Sequence, residues 1–174
     1  MKPTFLGIGA QKCATPWVYR ILEDHPQVAL SQPKELHFFT AHFDRGYRWY
    51  ERQFVPEAQA RAVGEYSTSY LASADAPGRV ARYASDLRLI AALRDPVERA
   101  FSNHLHEVRA GHLADTDVDF EYAIGFNPMY VEQGYYACHL RRWLEHFDRS
   151  QILILFQEEI ERSPTDQAVA LYRF

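Results

Sequence analysis

Apolar residues in this chain fall into two alternating patterns. Short continuous runs stand at Phe5-Leu6-Gly7-Ile8-Gly9, Gln27 to Leu30, Arg61 to Tyr66, Leu87 to Leu93 and Gln151 to Phe156. Runs of this length, bounded by turn residues, predict buried strands. Between them, apolar residues recur at three- and four-residue spacing: Trp17, Val18, Ile21 and Leu22; then Val97, Ala100, Phe101, His104, Leu105 and Val108; then Tyr136, Leu140, Trp143, Leu144 and Phe147. These predict amphipathic helices. Asp44 to Phe54 reads as an aromatic-rich helix, with shorter helices over Ala76–Ala84, Phe120–Ile124 and Pro164–Phe174 and a turn or helix over Gln157–Glu161. Asp24-His25-Pro26, Ser31 to Lys34, Gly111 to Thr116 and Asn127-Pro128 interrupt the patterns as turns or loops. Strands that alternate with helices, and are themselves continuously apolar, predict a parallel sheet covered on both faces. The expected fold is therefore α/β, three-layered, with a mainly parallel central sheet flanked by helices and Gln151–Phe156 as a central strand. No repeat or linker divides the chain, so residues 1–174 are expected to form one domain.

Three places on this framework carry polar groups suited to chemistry. The first follows the opening strand, where a glycine-bearing loop leads to Lys12 and then to Thr15 and Pro16. Thr15 suits the N-cap, and Pro16 suits the first helical position, where its missing N–H would have no partner anyway. Strand, loop and helix N-terminus aim backbone N–H groups and a positive dipole end at one spot, which makes an anion site, most often for phosphate. A nucleoside-triphosphate loop would need glycine before the lysine and a hydroxyl after it, but Gln11 and Cys13 stand there. A dinucleotide fingerprint would need its third glycine at Lys12. An ordinary turn with an ordinary lysine is the plainer alternative.

The second place is Glu35-Leu36-His37-Phe38-Phe39. In extended conformation Glu35, His37 and Phe39 would share one face, with Leu36 and Phe38 toward the core. That sets a carboxylate beside an imidazole, an arrangement suited to general base work; a solvated edge strand is the alternative. The third is Arg94-Asp95-Pro96, where Arg94 leaves a strand at the C-terminal edge at which open α/β sheets bind ligands. Arg94 offers a planar fork for a phosphate, and Ser102, two turns into the following helix, offers a hydroxyl. Alternatively Arg94 closes that helix through Asp95 or Glu98.

Composition narrows the setting. The chain has 174 residues, 47% hydrophobic and 24% charged, with a net charge of −4, which gives no global case for nucleic acid or an anionic membrane. No secretory pattern opens the sequence, and no apolar run approaches the length that spans a bilayer, so no membrane insertion is expected. Cys13 and Cys138 fit no metal spacing, and a reducing, cytoplasmic setting is expected, with Cys13 a small loop filler rather than a nucleophile.

Gly9-Ala10-Gln11-Lys12-Cys13-Ala14-Thr15 resembles the 5'-phosphosulfate loop of sulfotransferases that use 3'-phosphoadenosine 5'-phosphosulfate (PAPS), usually K-x-G-T, with Ala14 where glycine is common. Lys34 to Phe39 resembles the K-E-x-H-F-F pattern that supplies the catalytic glutamate in heparan-type and related bacterial members. Gly64-Glu65-Tyr66-Ser67-Thr68-Ser69-Tyr70 is similar to their G-E-x-S-P-x-Y segment, with Thr68 for proline and Tyr66 where a lysine often stands. Arg94 to Ser102 resembles the R-D-P-x-x-R-A-x-S motif for the 3'-phosphate. The resemblance implies a P-loop-type fold and sulfuryl transfer from PAPS, without a metal, to an acceptor hydroxyl or amine on a glycan, lipid or small molecule. It implies that Lys12, Cys13, Ala14, Thr15, Pro16 and Trp17 hold the phosphosulfate, and that Arg94 and Ser102 hold the 3'-phosphate. Glu35 would be the base and Lys12 the electrophilic partner, with His37 positioning the acceptor or acting as the base instead. Tyr136, in a G-x-Y segment, would touch the acceptor or pack in the core. Family members usually continue into a basic, glycine-containing loop over the 3'-phosphate and adenine, which the chain is expected to lack. The alternatives are a non-catalytic module that binds PAPS or its bisphosphate product and, on the same fold, a nucleotide kinase.

Overall fold

A computed structural model describes residues 2–56, 58–113 and 119–174. Part of the loop expected over Gly111–Thr116 lies outside the described residues. Five strands form one sheet: β1 (Phe5–Gly9), β2 (Val28–Leu30), β3 (Ala62–Tyr66), β4 (Arg88–Leu93) and β5 (Ile152–Phe156). Their order across the sheet is β2-β3-β1-β4-β5, and all four pairings are parallel. β1 lies at the centre, with Phe5 opposite Gly64 on one side and Arg88 on the other. All five of its residues are buried.

The helices are α1 (Thr15–Glu23), α2 (Gly46–Glu51), α3 (Ala76–Tyr83), α4 (Pro96–Arg109), α5 (Phe120–Phe126), α6 (Met129–Glu132), α7 (Tyr136–Leu144), α8 (Gln157–Arg162) and α9 (Pro164–Arg173). They flank the sheet, as expected. One core joins Leu6, Ile8, Leu89, Ile90 and Ala91 of the sheet to Val18 and Leu22 of α1, Val80 of α3 and Trp143 of α7. Burying a large aliphatic side chain is worth about 1.5–3 kcal/mol, so these positions carry much of the fold.

Five expectations need correction. The strand β5 lies at the sheet edge, not the centre; a continuous apolar run records helices over both faces, not a strand on each flank. Residues 35–39 are not a strand. Glu35 and His37 have left-handed φ values of 59° and 48°, and Phe39 is buried beside Leu36 and Phe38 rather than sharing a face with Glu35. The amides of this segment are taken by side chains instead of a ladder: Leu36 N–H by Glu65, His37 N–H by Ser67 and Phe39 N–H by the Tyr70 hydroxyl. The buried face of α4 is Arg99, Ala100, Asn103 and His104, leaving Val97 and Phe101 exposed, because Arg99 turns inward to bond Tyr130 and Gln133. On α7, His139 and Trp143 are buried and Leu144 is exposed, His139 being drawn in by the Glu132 carbonyl. The helix expected over Asp44–Phe54 shrinks to a 3₁₀ turn at Phe43–Arg45 and the short α2. Its aromatics still pack: Tyr50 stacks on Phe38 with ring centroids 4.4 Å apart.

Close strand packing explains one glycine. A Cβ at Gly7 would lie 2.0 Å from Cδ2 of Tyr66, whose buried ring crosses that position and whose hydroxyl donates to the Gly9 carbonyl at 2.9 Å. Gly7→Ala is therefore expected to cost about 2–3 kcal/mol through overpacking, lowering the melting temperature by roughly 5–10 °C. Thermal unfolding followed by circular dichroism checks this; an unchanged midpoint would mean the ring yields freely.

Candidate active site

Parallel pairing brings the C-terminal ends of β2, β3, β1 and β4 to one edge of the sheet. The segment after each then supplies one part of the site: Glu35 and His37 after β2, Thr68 and Ser69 after β3, Gln11 and Lys12 after β1, and Arg94 after β4. From β1 the chain first turns to one side, toward β2 and β3, and later returns on the other side as β4. This is the topological switch point where open α/β sheets bind ligands.

The loop after β1 is shaped for an anion. Lys12 and Ala14 have left-handed φ values of 67° and 51°. Ala14, not Thr15, is the residue before the first helical turn, and Thr15 is buried inside it, so the expected cap is shifted by one position. No side chain caps the helix, and Pro16 follows in its second position, exposed. Five consecutive amides, of Gln11, Lys12, Cys13, Ala14 and Thr15, have no hydrogen-bond acceptor among the described residues. Lys12, half-buried, has no ion-pair partner among them either. By contrast, the N-terminus of α4 is closed by the Asp95 carboxylate, which accepts from Val97 and Glu98 N–H at 2.9 and 3.0 Å. Unsatisfied amides, a dipole end and a free ammonium together define an anion cradle. Trp17, half-buried, packs its ring against the core below.

The cradle is fixed from beneath. Ala10 N–H donates to Ala92 O at 2.7 Å, tying the loop to β4. Cys13 is fully buried, its Sγ 3.6 Å from the Tyr136 hydroxyl, which also meets the Arg94 backbone. Tyr136 is thus a support joining the lysine loop to the end of β4, and burial pushes its pKa up. Arg94 is half-buried, its guanidinium 3.2 Å from Glu98 Oε2, the helix-closing contact weighed above. Ser102 is half-buried one to two turns further along α4.

A cleft of about 400 Å³ opens beside the cradle, lined by Ala10, Gln11, Glu35, His37, Thr68 and Ser69, with Leu71, Met129 and Gln133 on its far walls. Although the strand reading fails, Glu35 and His37 still meet: His37 Nε2 lies 3.5 Å from Glu35 Oε2. Thr68 donates its hydroxyl and its N–H to the same carboxylate oxygen at 2.9 and 3.4 Å. Ser69 Oγ is 2.9 Å from His37 Nδ1 and 2.9 Å from Thr40 Oγ1. Thr68 and Ser69 were not expected in the site. Their signal was the departure at Thr68, which supplies a hydroxyl and an N–H that proline lacks. Lys12, Ala14, Glu35 and His37 are the only non-glycine residues with left-handed φ among those described, and all four lie in these two loops. Backbone strain of this kind concentrates at functional sites. Among the described residues, no group of three or more His, Cys, Asp or Glu is arranged to hold a metal, and no helix is long and apolar enough to cross a membrane.

A parallel sheet of this order, with an anion cradle after its central strand, defines an α/β protein of the P-loop-like class. The sequence model for the sulfotransferase domain matches residues 2–174, and the chain belongs to that family. The chain is 29% identical over 93% of its length to the mouse bifunctional heparan sulfate N-deacetylase/N-sulfotransferase 4, and 28% identical over 95% to the human heparan sulfate glucosamine 3-O-sulfotransferase 3B1. It spans 21% and 44% of those proteins. The crystal structure of a sulfotransferase from Alicyclobacillus acidocaldarius superimposes with a TM-score of 0.87 and 28% identity, covering 97% of this chain and 78% of that one.

The Cys13 thiol has a testable character. Burial pushes its pKa up to about 11, only partly offset by the hydrogen bond with Tyr136. The folded protein therefore favours the neutral thiol. Its contribution to stability is full below the ordinary value of 9.0 and falls as pH rises from there toward 11, because the unfolded thiol ionises first. At pH 8 iodoacetamide is expected to modify exposed Cys138 at least about 10²-fold faster than Cys13, as mass spectrometry of the labelled protein would read. Equal rates would contradict the buried placement.

Proposed function

We propose that this chain transfers a sulfuryl group from PAPS to the hydroxyl or amine of an acceptor, a glycan, lipid or small molecule. The observation that carries the reading is the row of unsatisfied amides from Gln11 to Thr15, beside an unpaired Lys12 and opening onto the cleft that holds Glu35 and His37. Family membership and the heparan sulfate sulfotransferases among its relatives point to the same chemistry.

In this reading the amides, Lys12, and the residues Cys13, Ala14, Thr15, Pro16 and Trp17 around them hold the 5'-phosphosulfate. Arg94 and Ser102 hold the 3'-phosphate, Arg94 exchanging its exposed partner Glu98 for a doubly charged ligand. Surface ion pairs of this kind are worth about 0–1 kcal/mol, so the exchange is easy. The acceptor oxygen or nitrogen attacks sulfur and gives its proton to Glu35. The bond between sulfur and the bridging oxygen breaks, and its electron pair goes to the phosphate oxygen, where Lys12 and the loop amides stabilise the charge. Thr68 aims the Glu35 carboxylate, and His37 orients the acceptor from the adjacent wall. The chemistry asks for no metal at this site. Residues 1–174 act in this reading as one domain, and a reducing cytoplasmic setting suits the two unpaired cysteines.

Two outcomes follow. 3'-Phosphoadenosine 5'-phosphate at about 100 times its Kd is expected to stabilise the protein by about 2.7 kcal/mol, while AMP and ATP at the same concentration give little shift. Arg94→Ala should erase the preference over AMP. Equal shifts for all three nucleotides in the wild type, read by differential scanning fluorimetry, would remove the donor assignment. Separately, Glu35→Gln is expected to lower kcat about 10²–10⁴-fold with bisphosphate binding unchanged. Near-normal turnover by that variant would transfer the base role elsewhere, His37 being the neighbour to test.

A further inference from the structure

The fully buried Glu65, on β3, is not used by the reaction above. Its Oε1 accepts from the hydroxyls of Tyr50 at 2.9 Å and Tyr70 at 2.6 Å; its Oε2 accepts from Ser67 Oγ at 2.5 Å and from Leu36 N–H at 3.3 Å. Both acceptor oxygens are thus doubly bonded, with no solvent contact. Burial pushes its pKa up, while the bonds from Ser67, Tyr70, Tyr50 and Leu36 pull the other way. A buried carboxylate is costly unless donors surround it, and an apolar residue would fill a sheet position with less penalty.

What the carboxylate gains is visible in the partners of its partners. Ser67 Oγ, which donates to Glu65, accepts from His37 N–H at 3.0 Å. The Tyr70 hydroxyl, which also donates to Glu65, accepts from Phe39 N–H at 3.4 Å. Three amides of the segment between Glu35 and Phe39 therefore end on one buried acid, one directly and two through a hydroxyl. Left-handed backbone is sterically disfavoured for a non-glycine residue, and Glu35 and His37 both adopt it on either side of the Leu36 amide that Glu65 grips.

We propose that Glu65 is a positioning residue for proton abstraction. It clamps the Leu36 and His37 amides and so holds Glu35 and His37 in the left-handed conformation that turns both side chains into the cleft. This rests on the sulfuryl-transfer reading. Glu65 touches neither donor nor acceptor and acts through Glu35.

The test compares Glu65→Gln, Glu65→Leu and Ser67→Ala, each alone and combined with Glu35→Gln. The glutamine can keep its carbonyl toward Leu36 and Ser67 and its amide group toward the tyrosine hydroxyls, so it is expected to retain activity within about tenfold of wild type. Glu65→Leu should lower kcat about 10²-fold, the scale of a misplaced catalytic group, with affinity for 3'-phosphoadenosine 5'-phosphate within about threefold of wild type. In the Glu35→Gln background the same leucine should add less than about threefold, because it acts through a group already removed. A full additional loss there, or a normal kcat for Glu65→Leu, overturns the proposal. If the leucine variant fails to fold, Ser67→Ala carries the same comparison. Amide exchange of residues 35–39 gives a readout independent of activity. Protection should persist in wild type and Glu65→Gln and drop in Glu65→Leu and Ser67→Ala, with β1 and β4 unchanged; protection retained in all variants also overturns it. Wild type that binds the bisphosphate yet transfers nothing from PAPS would refute the reaction, and the exchange result would still decide the clamp.

Discussion

The parallel pairing of β1 with both β3 and β4 is the constraint from which the rest of this site follows. It fixes the direction of the central strands, so every segment that leaves a C-terminal end emerges at the same edge. Lys12, Thr68 and Arg94 are distant in sequence, yet each follows a strand that ends at this edge. The pairing depends in turn on close approach: Tyr66 lies over Gly7, and the Tyr66 hydroxyl reaches past it to the Gly9 carbonyl at the mouth of the loop. The core thus sets the height at which the anion cradle stands.

The two loops at that edge use their amides in opposite ways. In the segment after β2, the protein satisfies the amides of Leu36, His37 and Phe39 with its own buried side chains, and the backbone is thereby immobilised around Glu35. In the loop after β1, the amides from Gln11 to Thr15 are left open, while the loop is gripped from below through Ala10, Cys13 and Tyr136. A base needs a fixed direction, because proton transfer tolerates little misalignment. An anion cradle needs unspent donors, because its bonds are to be made with the ligand. Strained, non-glycine φ angles appear in both, at Lys12 and Ala14 in one loop and at Glu35 and His37 in the other; the proposed reaction uses Lys12 for its charge and Glu35 and His37 for proton transfer.

Much of this was legible in the sequence. Runs such as Leu89 to Leu93 marked the sheet, Arg94-Asp95-Pro96 marked its edge, and the flanking of Lys12 by a strand and a helix start marked the cradle. What escaped was decided by contacts between distant segments. Glu35 to Phe39 alternates like a strand, but its amides are claimed by Glu65, Ser67 and Tyr70, residues the pattern could not pair with it. The run at Ile152–Phe156 announces burial between layers without saying which strands flank it. The face of α4 was misread because an arginine, Arg99, is buried in place of Val97, and hydrophobic periodicity takes no account of a charge that finds partners inside. Thr68 was visible only as a departure from a pattern and Ser69 stood at its variable position, and their roles depend on where β3 delivers them.

Arg99 also shows how the ends of the site are tied together. It is fully buried, donates to Gln133 Oε1 at 2.9 Å and to the Tyr130 carbonyl at 2.5 Å, and so bolts α4 to α6. Helix α4 carries Ser102 and begins beside Arg94, the pair proposed for the 3'-phosphate; Met129 and Gln133, at the two ends of α6, line the cleft that also holds Glu35. A buried guanidinium is costly unless acceptors surround it, so these two bonds hold α4 and α6 together. The wall of the cleft is therefore referenced to the helix of the arginine motif, just as the segment carrying Glu35 is referenced through Glu65 to the sheet. Reacting groups carried on loops gain the alignment that transfer chemistry requires when both loops are measured from rigid elements, and here the buried charges Glu65 and Arg99 make those two measurements.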